Sequence, residues 1–179
     1  EHGDRVLSKW NVEQLKGDLT ADAKTYYGSL WVTLPPSLKT ALCLVCAFPF
    51  FWPSSAFGQI AEATKNSLPE VQKVHHLLHS SAAGLKVFHE SLAVYVRATD
   101  DYEERIKQLT PEVAQWLETS APIALRVNWL WTIQARLGAP QNLISGLTRD
   151  WIMQRLEEGY PESLFETLLT EALAAALGT

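Results

Sequence analysis

Proline cuts this sequence into helix-length pieces. Pro36, Pro53, Pro69, Pro111, Pro122, Pro140 and Pro161 each stand at the head of a stretch whose apolar residues recur at three- and four-residue spacing. Proline fits the first turn of a helix and disrupts its interior, so each one marks a start. The spacing itself selects helix over strand. Asn11 caps a short helix to about Leu19, and Thr20 caps "ADAKTYYGSLWV", where Tyr26, Tyr27, Leu30 and Trp31 share a face. Pro36 opens "LKTALCLVCAF", Pro53 opens "AFGQIAEATK", and Pro69 opens "EVQKVHHLLHS" as a third helix running to Ser80.

The pattern then breaks. "SSAAGLKVF" places β-branched and aromatic residues around a glycine and reads as a short hairpin with Phe88 on its second strand. Helical spacing resumes from His89, and beyond Arg97 helices are expected over roughly 101–109, 111–119, 122–137, 140–147, 149–158 and 161–177. Three helices followed by a hairpin is the order of a winged helix. The expected fold is therefore all-α: a linker with a short helix over 1–19, a winged-helix domain with a short β-hairpin wing over 20–97, and a helical domain over 98–179. Short links in that last region imply antiparallel neighbours, as at the start of a helical array. No strict sequence period accompanies them.

Composition narrows the partners. The chain has 179 residues, 47% hydrophobic and 20% charged, and a chain of this size can bury about 70% of its unfolded surface. Residues 1–65 carry six basic and six acidic side chains, and residues 66–179 carry nine and fourteen, so the whole net charge of −5 lies in the second part. A duplex-binding protein needs a basic stripe. The expected third helix offers only Lys73, Gln72 and three histidines, behind Glu70, so no nucleic-acid partner is expected. The longest apolar run, Ala41 to Trp52, is twelve residues, against about 20 for a membrane-spanning helix; no membrane partner is expected either. Two cysteines do not make a disulfide framework, which suggests a reduced, cytoplasmic setting. The first residues show neither a Met start nor a signal-peptide apolar region, and "EALAAALGT" stops on a helical pattern without a closing element, so both ends read as cuts in a longer protein.

Several groups bear chemistry. Cys43 and Cys46 form a C-x-x-C, and His75, His76 and His79 follow within "HHLLH". Such ligands can hold zinc, but this pair lies mid-helix among Leu, Val and Phe, where cysteine acts as a small hydrophobe. No metal is expected. Trp116, Trp129, Trp131 and Trp151 fall on expected helices and read as packing residues. Arg97, Asp100, Asp101, Glu103, Glu104 and Arg105 read as a solvated hinge. Nucleophile elbows, H-E-x-x-H, the P-loop and G-x-G-x-x-G are all missing. The chain is not expected to be an enzyme by itself.

The remaining signal is "KVFHESLAVYV", a histidine at the junction of strand and helix. Together with "DLTADAKTYYGSLWVTLPPSLKTALCLVCAFPFFWPSSAFGQIAEA" before it and "LTRDWIMQRLEEGYPESLFETLLTEA" after it, this stretch resembles STAND-class NTPases of the NACHT/NB-ARC-like group. The likeness covers about residues 18–174 and is firmest over 18–97. It lies in the winged-helix region that follows the nucleotide-binding core, and in the helices beyond. In related receptors the corresponding place carries a Met-His-Asp motif, which Phe88-His89-Glu90 matches by type rather than by letter. The resemblance implies that His89 senses nucleotide through the β-phosphate of ADP, with Phe88, Glu90 and Ser91 as its flanking motif. It further implies ATP/ADP in the parent protein and no cofactor on this chain. The implied partners are the parent's nucleotide-binding domain and further copies of the full-length protein, in signalling or antiviral defence. Two other readings stand beside it: a stand-alone helical protein-interaction scaffold and a DNA-binding winged-helix regulator.

Overall fold

The computed structural model describes residues 22–53, 55–56, 59–60 and 74–177. These are mostly helical, with one two-stranded antiparallel hairpin, which is the expected all-α fold with a short hairpin. The chain divides into two compact units, Glu1–Ile106 and Lys107–Thr179.

In the first unit, helix α1 covers 22–33 and helix α2 covers Pro36–Ala47. Pro36 sits in the first turn of α2, where a missing N–H leaves no carbonyl unpaired. Leu38 and every residue from Leu42 to Cys46 are buried, so the end of α2 is surrounded by core on all sides. The chain then extends at Phe48, and burial switches to a period of two through Phe48, Phe50 and Trp52. The Phe50 and Trp52 rings lie 4.6 Å apart. Trp52 N–H donates to the Leu85 carbonyl at 2.7 Å and Leu85 N–H donates back to Trp52 at 2.8 Å, which adds a third short strand position to the hairpin. This bridge was not expected, because one paired residue inside an apolar run leaves no periodic trace. Residues 1–21 and 61–73, with the helix expected over Asn11–Leu19, lie outside the described residues. Residues 55–56 and 59–60 are helical, in line with a helix opened by Pro53.

The third helix does not reach Ser80. His75–Leu77 form a single 3-10 turn, and strand β1 runs from Leu78 to Ser81, paired with β2 over Gly84–Val87. "HHLLH" is therefore not one helix face. Val74, Leu77 and Leu78 have helical spacing, but a 3-10 turn entering a strand buries the same three side chains. The register pairs Leu78 with Val87, His79 with Lys86, Ser80 with Leu85 and Ser81 with Gly84. Phe88 falls one residue beyond β2 rather than on it. Gly84 has φ +125°, and a Cβ there would lie 2.2 Å from the Trp52 carbonyl oxygen, so only glycine lets the hairpin cross Trp52. Helix α3, Glu90–Arg97, follows and packs Leu92, Ala93 and Val96 inward, against α2 and β2.

Helix α4 runs unbroken from Tyr102 to Thr119 with Pro111 inside it, where two helices were expected. An interior proline removes the donor for the carbonyl four residues back, at a cost of about 3 kcal/mol. Leu109, Val113, Trp116 and Leu117 are buried at helical spacing on both sides of it, and Pro111 itself is exposed. Burial of that stripe offsets the loss and keeps the helix whole.

The rest of the second unit follows the expected boundaries closely: α5 Ile123–Arg136, α6 Gln141–Gly146, α7 Arg149–Glu157 and α8 Glu162–Leu177. Thr148 caps α7 by accepting from Trp151 N–H at 3.2 Å. Leu143, Leu168 and Ala172 form the centre of this core, with Trp131 and Trp151 packed on it, their rings 4.7 Å apart. Buried Thr132 donates to Glu171 at 2.6 Å and ties α5 to α8. Trp116, Trp131 and Trp151 thus serve packing, as their helical positions suggested.

Candidate functional site

The short connection from β2 to α3 sets the site. His89 is the N-cap residue of α3, with extended backbone at φ −118° and ψ 130°. Its carbonyl accepts from Leu92 N–H at 3.0 Å, while its side chain makes no capping bond. Most N-caps use the side chain to satisfy the first turn. Here the imidazole is exposed and turned to other contacts, standing edge-on to the Phe88 ring at 4.3 Å.

The flanking motif does not gather into one site. Phe88 is exposed beside His89. Glu90 accepts from Arg97 at 3.1 Å on the solvent side of α3. Ser91 meets the Tyr27 hydroxyl at 3.2 Å and so links α3 to α1. That link opens onto a groove of about 1020 Å³ lined by Tyr27, Trp31, Tyr95 and the turn at Asp100 and Asp101. His89 is not among the residues lining it.

A second set of side chains was not anticipated. Strand alternation turns Leu78 and Leu85 inward and His79 and Lys86 outward as a cross-strand pair. Phe51, beside the bridging Trp52, lies on that outward face: its ring is 6.3 Å from His79 and 5.6 Å from the Lys86 ammonium. His79 lies 6.5 Å from Phe88, which carries the row on to His89. Among the described residues, His79, Lys86 and His89 form no ion pair or hydrogen bond through their side chains. The register brings His79 beside Lys86, and Phe88 links that pair to His89; nothing in the sequence spacing of 79, 86 and 89 announces it.

The charged hinge also differs from its sequence reading. Arg97 donates twice to the Cys46 carbonyl, at 3.1 and 2.7 Å, and satisfies the end of α2. Arg105 donates to Asp101 at 2.8 Å and to the Thr40 hydroxyl at 2.8 Å. The Arg105 hydrogen bond holds the Asp101 carboxyl below its usual range. These two cations are structural ties as well as surface charges. Cys43 and Cys46 are fully buried in α2, and loss of solvation pushes both thiols up to about 12. Each therefore stays protonated at neutral pH.

An exposed imidazole and an ammonium are both groups that can donate to phosphate oxygen. The fold and site define a helical chain with a three-position β-sheet edge and a basic, aromatic outer face. No protein-family model, curated protein or solved structure matches it.

Proposed function

We propose that this chain is the regulatory winged-helix and helical segment of a STAND-class NTPase. In this reading it couples the nucleotide state of a nucleotide-binding domain in the parent protein to domain rearrangement and oligomerisation, in cytoplasmic signalling or antiviral defence. ATP and ADP belong to the parent, and this chain supplies the sensor rather than the catalyst. The observation that supports it is His89, exposed at a strand-to-helix junction with its side chain released from capping. One charge-assisted hydrogen bond to phosphate is worth about 1.5–3 kcal/mol. Moving a two-state switch from 1:99 to 99:1 takes about 5.5 kcal/mol, so His89 biases the resting state and domain contacts supply the remainder. Its test is His89→Ala in the full-length native protein, which should release ADP roughly ten- to hundredfold faster.

One observation favours the interaction scaffold instead. Leu169, Leu173 and Leu177 are exposed at one-turn spacing along α8 and form an apolar stripe. Under that reading the native protein carries no P-loop segment, and His89→Ala leaves nucleotide exchange unchanged. Retardation of duplex DNA at modest salt would favour the DNA-binding regulator over both.

A further inference from the structure

We infer that the outward face of the wing sheet is a polyphosphate-binding surface in which His79 and Lys86 act together with His89. This rests on the nucleotide-sensing reading of His89 and adds two residues to it that the motif does not contain. The ligand it fits is the diphosphate end of a nucleoside diphosphate.

The chain carries a net charge of −5, yet this face presents an ammonium and two imidazoles in a row. Glu90, the acidic neighbour of His89 in sequence, is engaged by Arg97. Phe51 and Phe88 adjoin these donors: the Lys86 ammonium lies 5.6 Å over the Phe51 ring, the His79 ring is 6.3 Å from Phe51 and 6.5 Å from Phe88, and Phe88 is 4.3 Å from His89. Cation–ring contact favours the Lys86 position without consuming an N–H donor. The ladder fixes His79 opposite Lys86, so two of the three donors sit on a paired backbone. Three donors along a ridge suit two linked phosphates better than one. An exposed ridge also lets a second domain present the nucleotide from outside, as a sensor requires.

The test uses the 179-residue chain itself. Imidazole carbon-bound proton resonances of His79 and His89 are followed by NMR during titration with ADP, inorganic pyrophosphate and adenosine at constant ionic strength. Both histidines should shift together with ADP and with pyrophosphate, on one weak saturating curve, and neither should respond to adenosine. Lys86→Ala should weaken pyrophosphate binding about threefold, the effect of one exposed charge pair, with the circular dichroism of the fold unchanged. A shift at His89 alone, or no effect of Lys86→Ala, overturns this inference and leaves the reading of His89 standing. Equal shifts with adenosine and pyrophosphate overturn it by showing that the phosphates are not what is bound. No shift at either histidine also overturns it, and nucleotide exchange in the full-length protein then judges His89 separately.

Discussion

Arg97 shows how much a single side chain can hide. In the sequence it opens a run of charges that reads as solvated hinge. In the fold its guanidinium reaches 51 residues back and donates twice to the Cys46 carbonyl. No spacing rule reveals a backbone acceptor that distant. Arg97→Ala should destabilise the chain by about 1–2 kcal/mol, since it strips a helix-end carbonyl of charged donors that are themselves part-exposed. Arg97→Lys should recover only part of this, because one ammonium cannot reproduce the guanidinium fork. Urea unfolding of the three proteins measures it. The same carbonyl belongs to a cysteine whose chemistry was legible: a C-x-x-C amid Leu and Val was expected to be core, and burial holds both thiols at about 12 against a usual 9.0. The sign follows from that rise. A thiol bound more tightly to its proton in the folded state contributes stability in full below pH 9.0, and that contribution is lost as pH rises toward 12. Melting temperatures between pH 8 and 11 should fall more steeply for the native chain than for a Cys43→Ala, Cys46→Ala variant. Parallel curves would contradict this.

Elements were legible where proline and glycine punctuate them. The starts of α2, α5, α6 and α8 each follow a proline, and each lies within a residue or two of its expected place. The hairpin sits where Gly84, β-branched Val87 and aromatic Phe88 put it, and α3 begins at Glu90, where helical spacing resumes. The failures share a cause: local spacing compatible with two structures, decided by partners far away. Leu77 and Leu78 suit a helix until Leu78 pairs with Val87. Pro111 ends a helix by local rules, yet burial on both sides carries α4 through it. The position of His89, between the second strand and α3, was legible because its signal is a local junction. His79 and Lys86 were not, because their meeting depends on strand register. Gly84 tests the sheet as an element. Gly84→Ala places a methyl group on the Trp52 carbonyl at positive φ. It should cost at least about 2 kcal/mol, more than helix or strand propensity alone would give. A thermal scan that shows no loss would mean the hairpin does not press on Trp52 as described.

At the scale of the molecule, two compact units are joined in one chain, and each has its own core: Leu42, Trp52 and Val96 in one, Leu143 and Leu168 in the other. No described helix is long and apolar enough to cross a membrane. Among the described residues no cluster of metal-ligating side chains forms. What distinguishes the surface is the exposed imidazole of His89 and the basic ridge continuous with it, and the proposed switch depends on that imidazole being spare. Under that proposal its removal barely alters the stability of this chain while changing nucleotide release in the parent protein. The most direct measurement pairs the two. His89→Ala is made in the 179-residue chain and in the full-length native protein, and thermal unfolding is recorded for the first and ADP release for the second. The expected result is an unchanged melting temperature and release faster by roughly ten- to hundredfold. A chain destabilised by several kcal/mol, with ADP release unaltered, would make His89 a structural residue and end the sensing proposal.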